Sequence, residues 1–153
     1  MARDAIRFDC KPDGRSVRVT LEGDLDERAD FSELLKLDGR SVVLDLSKVG
    51  RINSAGCHRW VRFLEALAKR HSDVRLARLS SSFVSQALMV PNTIAHARVE
   101  SLFLSYWCER CGEERDVLSS SVEDLARPPK CEGCAQLLTP DAYASSISCL
   151  FGP

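Results

Sequence analysis

The sequence predicts an α/β protein: a mixed sheet with helices, followed by a small cysteine-rich module. Three observations carry this. After an N-terminal pair of strands, short strand-like runs alternate with segments of helical period, the rhythm of a layered α/β fold. The run "SVVLDL" at 41–46 is continuously apolar, as expected of a central strand covered on both faces. After Tyr106 the rhythm stops, and paired cysteines, glycines and Pro-Pro replace it.

The elements follow in order. Residues 6–10 and 16–22 flank "KPDG", and "SVRVTLEG" alternates cleanly, which predicts a β-hairpin. "DERADFSELLKL" predicts a short helix with Phe31, Leu34 and Leu35 on one side. The central strand and a polar loop come next, then a helix over 54–70. Its apolar residues Cys57, Trp60, Val61, Leu64, Leu67 and Ala68 recur at helical spacing. "DVRLARL" predicts a strand. "SSSFVSQALMV" predicts a helix capped by serine and stopped at Pro91. "HARVESLFL" predicts a last strand, and the domain boundary falls at about residue 105, giving a domain over 1–104 and a module over 105–153.

Composition narrows the classes. Hydrophobic content of 44% and charged content of 28% are ordinary for a globular protein. No apolar run reaches the length of a membrane span, so no membrane insertion is expected. "MARDAIRFDCKPDG" has no apolar core of the kind an export signal needs, so a cytoplasmic protein is expected. Residues 1–104 carry 17 Lys/Arg and 14 Asp/Glu, whereas residues 105–153 carry 4 and 8. The C-terminal module is therefore acidic, which disfavours a phosphate backbone as its ligand.

Seven cysteines without an export signal argue against a disulfide framework. Cys108/Cys111 and Cys131/Cys134 form two Cys-x-x-Cys pairs with nineteen residues between them, a spacing for a four-cysteine zinc site. Each pair can turn both sulfurs onto one ion, Gly112 and Gly133 suit such turns, and two turns complete a tetrahedron. A closed four-thiolate site predicts structural Zn2+, and the whole looks like a zinc ribbon. "ERDVLSSSVEDL" is expected to supply a hairpin, and "QLLTPDAYASSISCLF" to close the module. A thioredoxin-like redox pair is the alternative, but neither pair opens a helix after a buried strand. Cys149 is expected to pack among Ile147, Leu150 and Phe151, with that cluster covering the junction. Cys10 carries no reading of its own.

The stretch "VVLDLSKVGRINSAG" resembles the central segment of STAS domains, the fold of bacterial anti-sigma-factor antagonists. The element order is similar too, over about residues 5–104. The resemblance implies that Asp45, Leu46 and Ser47 end the strand. It implies that Ser54 matches the hydroxyl a partner kinase phosphorylates, and that Gly56 lets the helix start approach neighbouring backbone. Asn53, Arg51 and Ala55 depart from the commonest pattern. "GRINSAG" is nearer to the small STAS subunits of lipid-transporting ABC systems.

Physical chemistry leaves two readings of Ser54 open. Ser54 or Asn53 can cap the helix, worth about 1 kcal/mol over alanine. Equally, a phosphate there would meet free N–H groups and the positive helix end, with Arg51 and Arg59 near in sequence. Neighbouring Cys57 and His58 point in different directions on a helix and make no nucleophile–base pair. Cys57 and Trp60 are expected in the core, His58 on the surface, and His71 and His96 on the surface without partners. No phosphate loop, hydrolase elbow or spaced acidic pair appears, so no enzyme is expected. The expected function is regulatory, with a protein partner (an anti-sigma factor, a kinase-like protein or an ATPase subunit) on Arg51, Asn53, Ser54 and His58. A constitutive accessory or scaffold subunit is the alternative, and a nucleic-acid binder is disfavoured by the acidic module.

Overall fold

The computed structural model describes residues 5–39, 41–141 and 144–152. Residues 1–4, the start of the N-terminal stretch without an apolar core, and 142–143, inside the closing segment, lie outside the described residues. The chain is a mixed α/β protein. Its larger sheet has the order β1-β2-β3-β4-β5: β1 Arg7–Asp13, β2 Ser16–Leu25, β3 Ser41–Ile52, β4 Asp73–Ala77 and β5 Arg98–Val99. β1 and β2 are the expected antiparallel hairpin, and the remaining neighbours are parallel. Parallel neighbours need crossovers, and two of these carry the helices α1 Ser54–Arg70 and α2 Ser81–Met89. Ser80 caps α2, accepting a hydrogen bond from Phe83 N–H at 3.2 Å.

The helix expected over 26–37 is reduced to a 3-10 turn at Leu34–Lys36. Two aspartates divert the backbone: Asp26 Oδ1 accepts from Arg28 N–H at 2.9 Å and Asp30 Oδ1 from Ser32 N–H at 3.0 Å. Such local side-chain bonds compete with the helical ladder. The polar loop expected after Ser47 is strand as far as Ile52. β2 runs beside it to Leu25, with Gly23 opposite Val49 and Leu25 opposite Ile52.

α1 and α2 lie on one face of the sheet, where the Trp60 ring meets Phe83 at 5.2 Å and Phe31 at 5.8 Å. Val19, Leu44 and Leu76 are aligned across three strands beneath them and are fully buried. The opposite face was expected to be covered as well, and it is polar instead. One row across all five strands reads Lys11, Arg18, Val43, Arg75, Arg98. The next rows supply the counter-charges, as in Arg18–Asp45 at 3.4 Å, Arg75–Glu100 at 2.6 Å and Arg98–Asp73 at 3.3 Å. Val43 is buried between two arginines, whose stems can shield it while their heads reach water. The continuous apolar reading of β3 thus has a different cause from helices on both sides.

The last expected strand is broken. After β5 the chain enters β6 Leu102–Trp107, the middle of a second sheet ordered β7-β6-β8, with β7 Glu114–Ser119 and β8 Thr139–Pro140. Arg78 has φ 53 at the break, and its N–H donates to Ser101 Oγ at 2.9 Å. The two sheets remain joined: Leu79 bridges Leu102, and Phe103 N–H donates to Leu79 C=O at 2.8 Å. β6 therefore straddles residue 105. One apolar cluster runs from Leu44 and Trp60 through Leu102 and Tyr106 to Leu138, Ile147 and Leu150.

Two placements differ from expectation. His71 is buried, its Nδ1 2.8 Å from Gly39 C=O, because it ends α1 against the β2–β3 connection. Cys149 is exposed, with its thiol donating to Ser146 C=O at 2.8 Å, while Ile147 and Leu150 take the buried side. Among the described residues, no helix is long and apolar enough to cross a membrane.

Candidate functional site

The start of α1 is built on a close backbone approach. A Cβ on Gly56 would lie 1.9 Å from Leu25 C=O and 2.5 Å from Asp26 N, so no side chain fits. Asn53 N–H donates to the same Leu25 C=O at 3.1 Å. Asn53 is the cap: its Oδ1 accepts from Gly56 N–H at 2.8 Å, satisfying a first-turn donor. Its Nδ2 donates to Glu27 Oε2 at 2.9 Å, and this bond holds the Glu27 carboxyl below its ordinary value. An asparagine performs both tasks, whereas an aspartate could cap but would face Glu27 with a second carboxylate.

Ser54 is thereby relieved of capping. It is the first residue of α1, it is exposed, and its hydroxyl makes no hydrogen bond among the described residues. Arg51, Asn53 and His58 are exposed around it. Arg51 N–H donates to Asp24 Oδ1 at 2.9 Å, which fixes the end of β3. Arg59 leans the other way, its Nη1 donating to Ala29 C=O at 3.4 Å. His58 stands between two clefts. One, of about 650 Å³, is lined by Glu27, Asp30, Phe31, Arg59 and Arg62; the other, of about 330 Å³, by Ser54, Cys57, Gln86 and Val90. Glu27 and Asp30 escape a reading of the sequence because the β2–β3 connection reaches α1, and with it Arg62, only in the fold. Cys57 is buried, accepts from Gln86 Nε2 at 3.3 Å and sits 3.9 Å from Thr93 Oγ1. It makes no pair with exposed His58.

Cys108, Cys111, Cys131 and Cys134 converge, and their sulfurs all lie within 4.8 Å of one another. Tetrahedral thiolate coordination at about 2.3 Å places sulfurs about 3.8 Å apart. The cluster has that size and can hold a metal ion. Its halves repeat one backbone pattern. In the first, Gly112 N–H donates to Cys108 C=O and Cys108 N–H to Glu113 C=O, at 2.8 and 2.9 Å. In the second, Ala135 N–H donates to Cys131 C=O and Cys131 N–H to Gln136 C=O, both at 2.8 Å. The fifth residue of each turn is left-handed: Gly112 at φ 72 and Ala135 at φ 61. Gly133, read as a turn glycine, has no such conformation; a Cβ there would make ordinary contacts 3.8 Å from two sulfurs.

The first turn joins β6 to β7. The expected hairpin within 114–125 does not form, because β7 pairs back onto β6 and Val122–Leu125 is a short helix, α3. The N–H of Cys111 donates to Cys108 Sγ and lowers that thiol to about 7, while hydrogen bonding with Cys134 and burial push Cys111 up to about 12. Holding a cation requires all four as thiolates, so binding releases protons. No protein-family model matches the chain, and no curated protein matches it.

Proposed function

We propose that this chain is a non-enzymatic regulatory protein of STAS type. It docks a protein partner, of anti-sigma-factor or kinase-like class, on the exposed start of α1, with Arg51, Asn53, Ser54 and His58 at the centre. It works in the cytosol, where unpaired thiols persist. The observation that carries the reading is the Ser54 hydroxyl, which has no hydrogen-bond partner among the described residues: Asn53 takes the cap, and Ser54 is left on the surface, lining the smaller cleft. A phosphate on Ser54 would add nearly two negative charges at the positive end of a seventeen-residue helix and change what docks there. Peptide mass spectrometry on the protein from its native cells is the first test. Phosphate on Ser54, with Ser54→Asp and Ser54→Ala captured by different partners, is the expected result. Identical partners for both variants would overturn the reading.

A constitutive docking role is favoured by one observation. The Glu27 carboxylate is held 2.9 Å from the Asn53 amide, so a phosphate on the next residue would have an acidic neighbour. Under this reading Ser54 stays unmodified, and the chain co-purifies with an ATPase subunit of an ABC-type system whatever the growth condition.

The four-cysteine cluster is assigned structural zinc, as four thiolates leave no open coordination position. Elemental analysis should find one zinc per chain; iron, or no metal in protein purified without chelator, would overturn the assignment.

A further inference from the structure

Among the described residues the outer face of the smaller sheet stays largely open, touched by Arg78 at Phe103 and by Ser81 at Asp116. Along β6 the buried side carries Leu102, Leu104 and Tyr106, and the outer side carries Phe103, Ser105 and Trp107. Their cross-strand neighbours on β7 are Leu118, Asp116 and Glu114, and Thr139 of β8 lies beside Trp107. Trp107 is 36% exposed, Leu118 45% and Leu137 57%, a concentration of exposed apolar side chains in one small module. Phe103 is partly covered by the Arg78 guanidinium, 5.8 Å from its ring centre.

Four carboxylates surround this apolar surface: Glu109, Glu114, Asp116 and Asp141. Glu109 accepts from Thr139 Oγ1 at 3.4 Å, Asp116 from Ser105 and Ser81, and Asp141 N–H donates to Ser105 C=O at 2.9 Å. None of the four has a cationic partner among the described residues. The polar face of the larger sheet differs. There Asp9, Glu22, Asp45, Asp73 and Glu100 each hold a lysine or arginine within 4 Å.

We propose that the outer face of β6, β7 and β8 docks a basic, partly apolar segment of a partner protein, with Trp107 as its anchor. The charge of the face selects the occupant. Unpaired carboxylates attract lysine and arginine, and repel the phosphates of a nucleic acid. The Trp107 ring offers a cation–π surface to the same side chains. Leu118, opposite Phe103, would take an apolar residue of the segment, since an extended segment presents every second side chain to one face. This proposal is independent of the Ser54 surface, and either can fail without the other.

The test uses the chain's two tryptophans, which give two indole signals in an ¹⁵N spectrum of the full, metal-loaded protein. Trp60 is fully buried and its Nε1 donates to Thr93 C=O, so its signal reports folding alone. The probe is a short peptide alternating arginine with valine, and the control peptide has glutamine for arginine. The expected result is that the arginine peptide moves the Trp107 signal and leaves Trp60 in place. The Glu114→Lys/Asp116→Lys variant should weaken that binding by about tenfold or more, and raised ionic strength should weaken it too. Should that variant shift the Trp60 signal, Glu114→Gln/Asp141→Asn removes charge without reversing it. Equal binding of the glutamine peptide overturns the proposal, as does undiminished binding by the charge variants. So does movement of Trp107 by a single-stranded oligonucleotide, or by raised protein concentration without peptide, which would make the occupant a second copy of the chain.

Discussion

The two sheets hold their strands by different means. The five-stranded sheet buries an apolar row under two helices and neutralises its open face with ion pairs between rows. The three-stranded sheet buries Leu104, Tyr106 and Leu138 on one side, and its β6–β7 turn is gathered by sulfurs rather than by a side-chain core. A segment this small seldom supplies a sufficient core by itself. The two strategies should therefore fail under different insults.

The largest effect should come from the sulfurs. Structural zinc contributes about 10–16 kcal/mol of apparent folding free energy to small finger peptides. Chelation, or Cys108→Ser, should abolish amide protection over Glu114–Ser119 while Val42–Leu46 stays protected. Hydrogen exchange read by mass spectrometry separates the two. Simultaneous loss of protection in both segments would mean that the ladder from Leu79 to Leu102 makes one folding unit of the whole chain.

Gly56→Ala should do the reverse. Its Cβ would overlap the Leu25 carbonyl, and because the obstacle is backbone, β2 or the helix start must move. A cost of about 3–5 kcal/mol places it among the severe single changes. The larger sheet should melt at lower temperature, while metal affinity, measured by competition with a chromogenic chelator, stays within about twofold of the parent.

What the sequence made legible divides along the same line. Strand–helix alternation, the hairpin, both long helices and the four-cysteine set depend on local period or spacing, and each can be read along the chain. The helix lost around Asp26 and Asp30 was masked by its apolar spacing, since the competing Asx bonds leave no periodic signal. The polar open face was hidden because "SVVLDL" reads as apolar throughout, although Val43 owes its burial to Arg18 and Arg75 on other strands. Glu27 reaches Asn53 across twenty-six positions, a contact no local motif announces. The joining of the sheets at Leu79 and Leu102 is a backbone pairing between distant segments, which no local pattern announces.

The polar face can be tested by acid. Burial would raise the Asp45 carboxyl, but hydrogen bonds from the Ser47 hydroxyl and N–H, and then Arg78 and Arg18, outweigh it, and the net shift is downward. A carboxyl lowered in the folded state stabilises fully above its unfolded value, about 3.9 for aspartate. That stabilisation is lost as pH falls through the lower folded value. Asp45→Asn should therefore be less stable than the parent at neutral pH, and the gap should narrow on acidification between about pH 5 and pH 2. A gap that stays constant in urea unfolding across that range would mean the Asp45 charge contributes nothing.

The smallest effect concerns the two halves of the cysteine cluster, which share one hydrogen-bond pattern with different residues at the left-handed position. A non-glycine residue there costs about 1–2 kcal/mol, partly offset because glycine loses about 0.4–1 kcal/mol more chain entropy on folding. Ala135→Gly should then tighten its turn by a net of about 0.5–1 kcal/mol. Gly112→Ala should loosen the other by a similar amount, since a Cβ at Gly112 meets nothing within 4 Å and strain in the backbone is the whole cost. The readout is the rate of metal transfer to an excess of chelator, slower for Ala135→Gly and faster for Gly112→Ala. The double exchange should return close to the parent if the turns act independently. A double variant faster than Gly112→Ala alone would show that the alanine turn is fitted to its own neighbours, with the Arg115–Glu132 ion pair at 3.1 Å, which ties β7 to that turn, the first contact to remove.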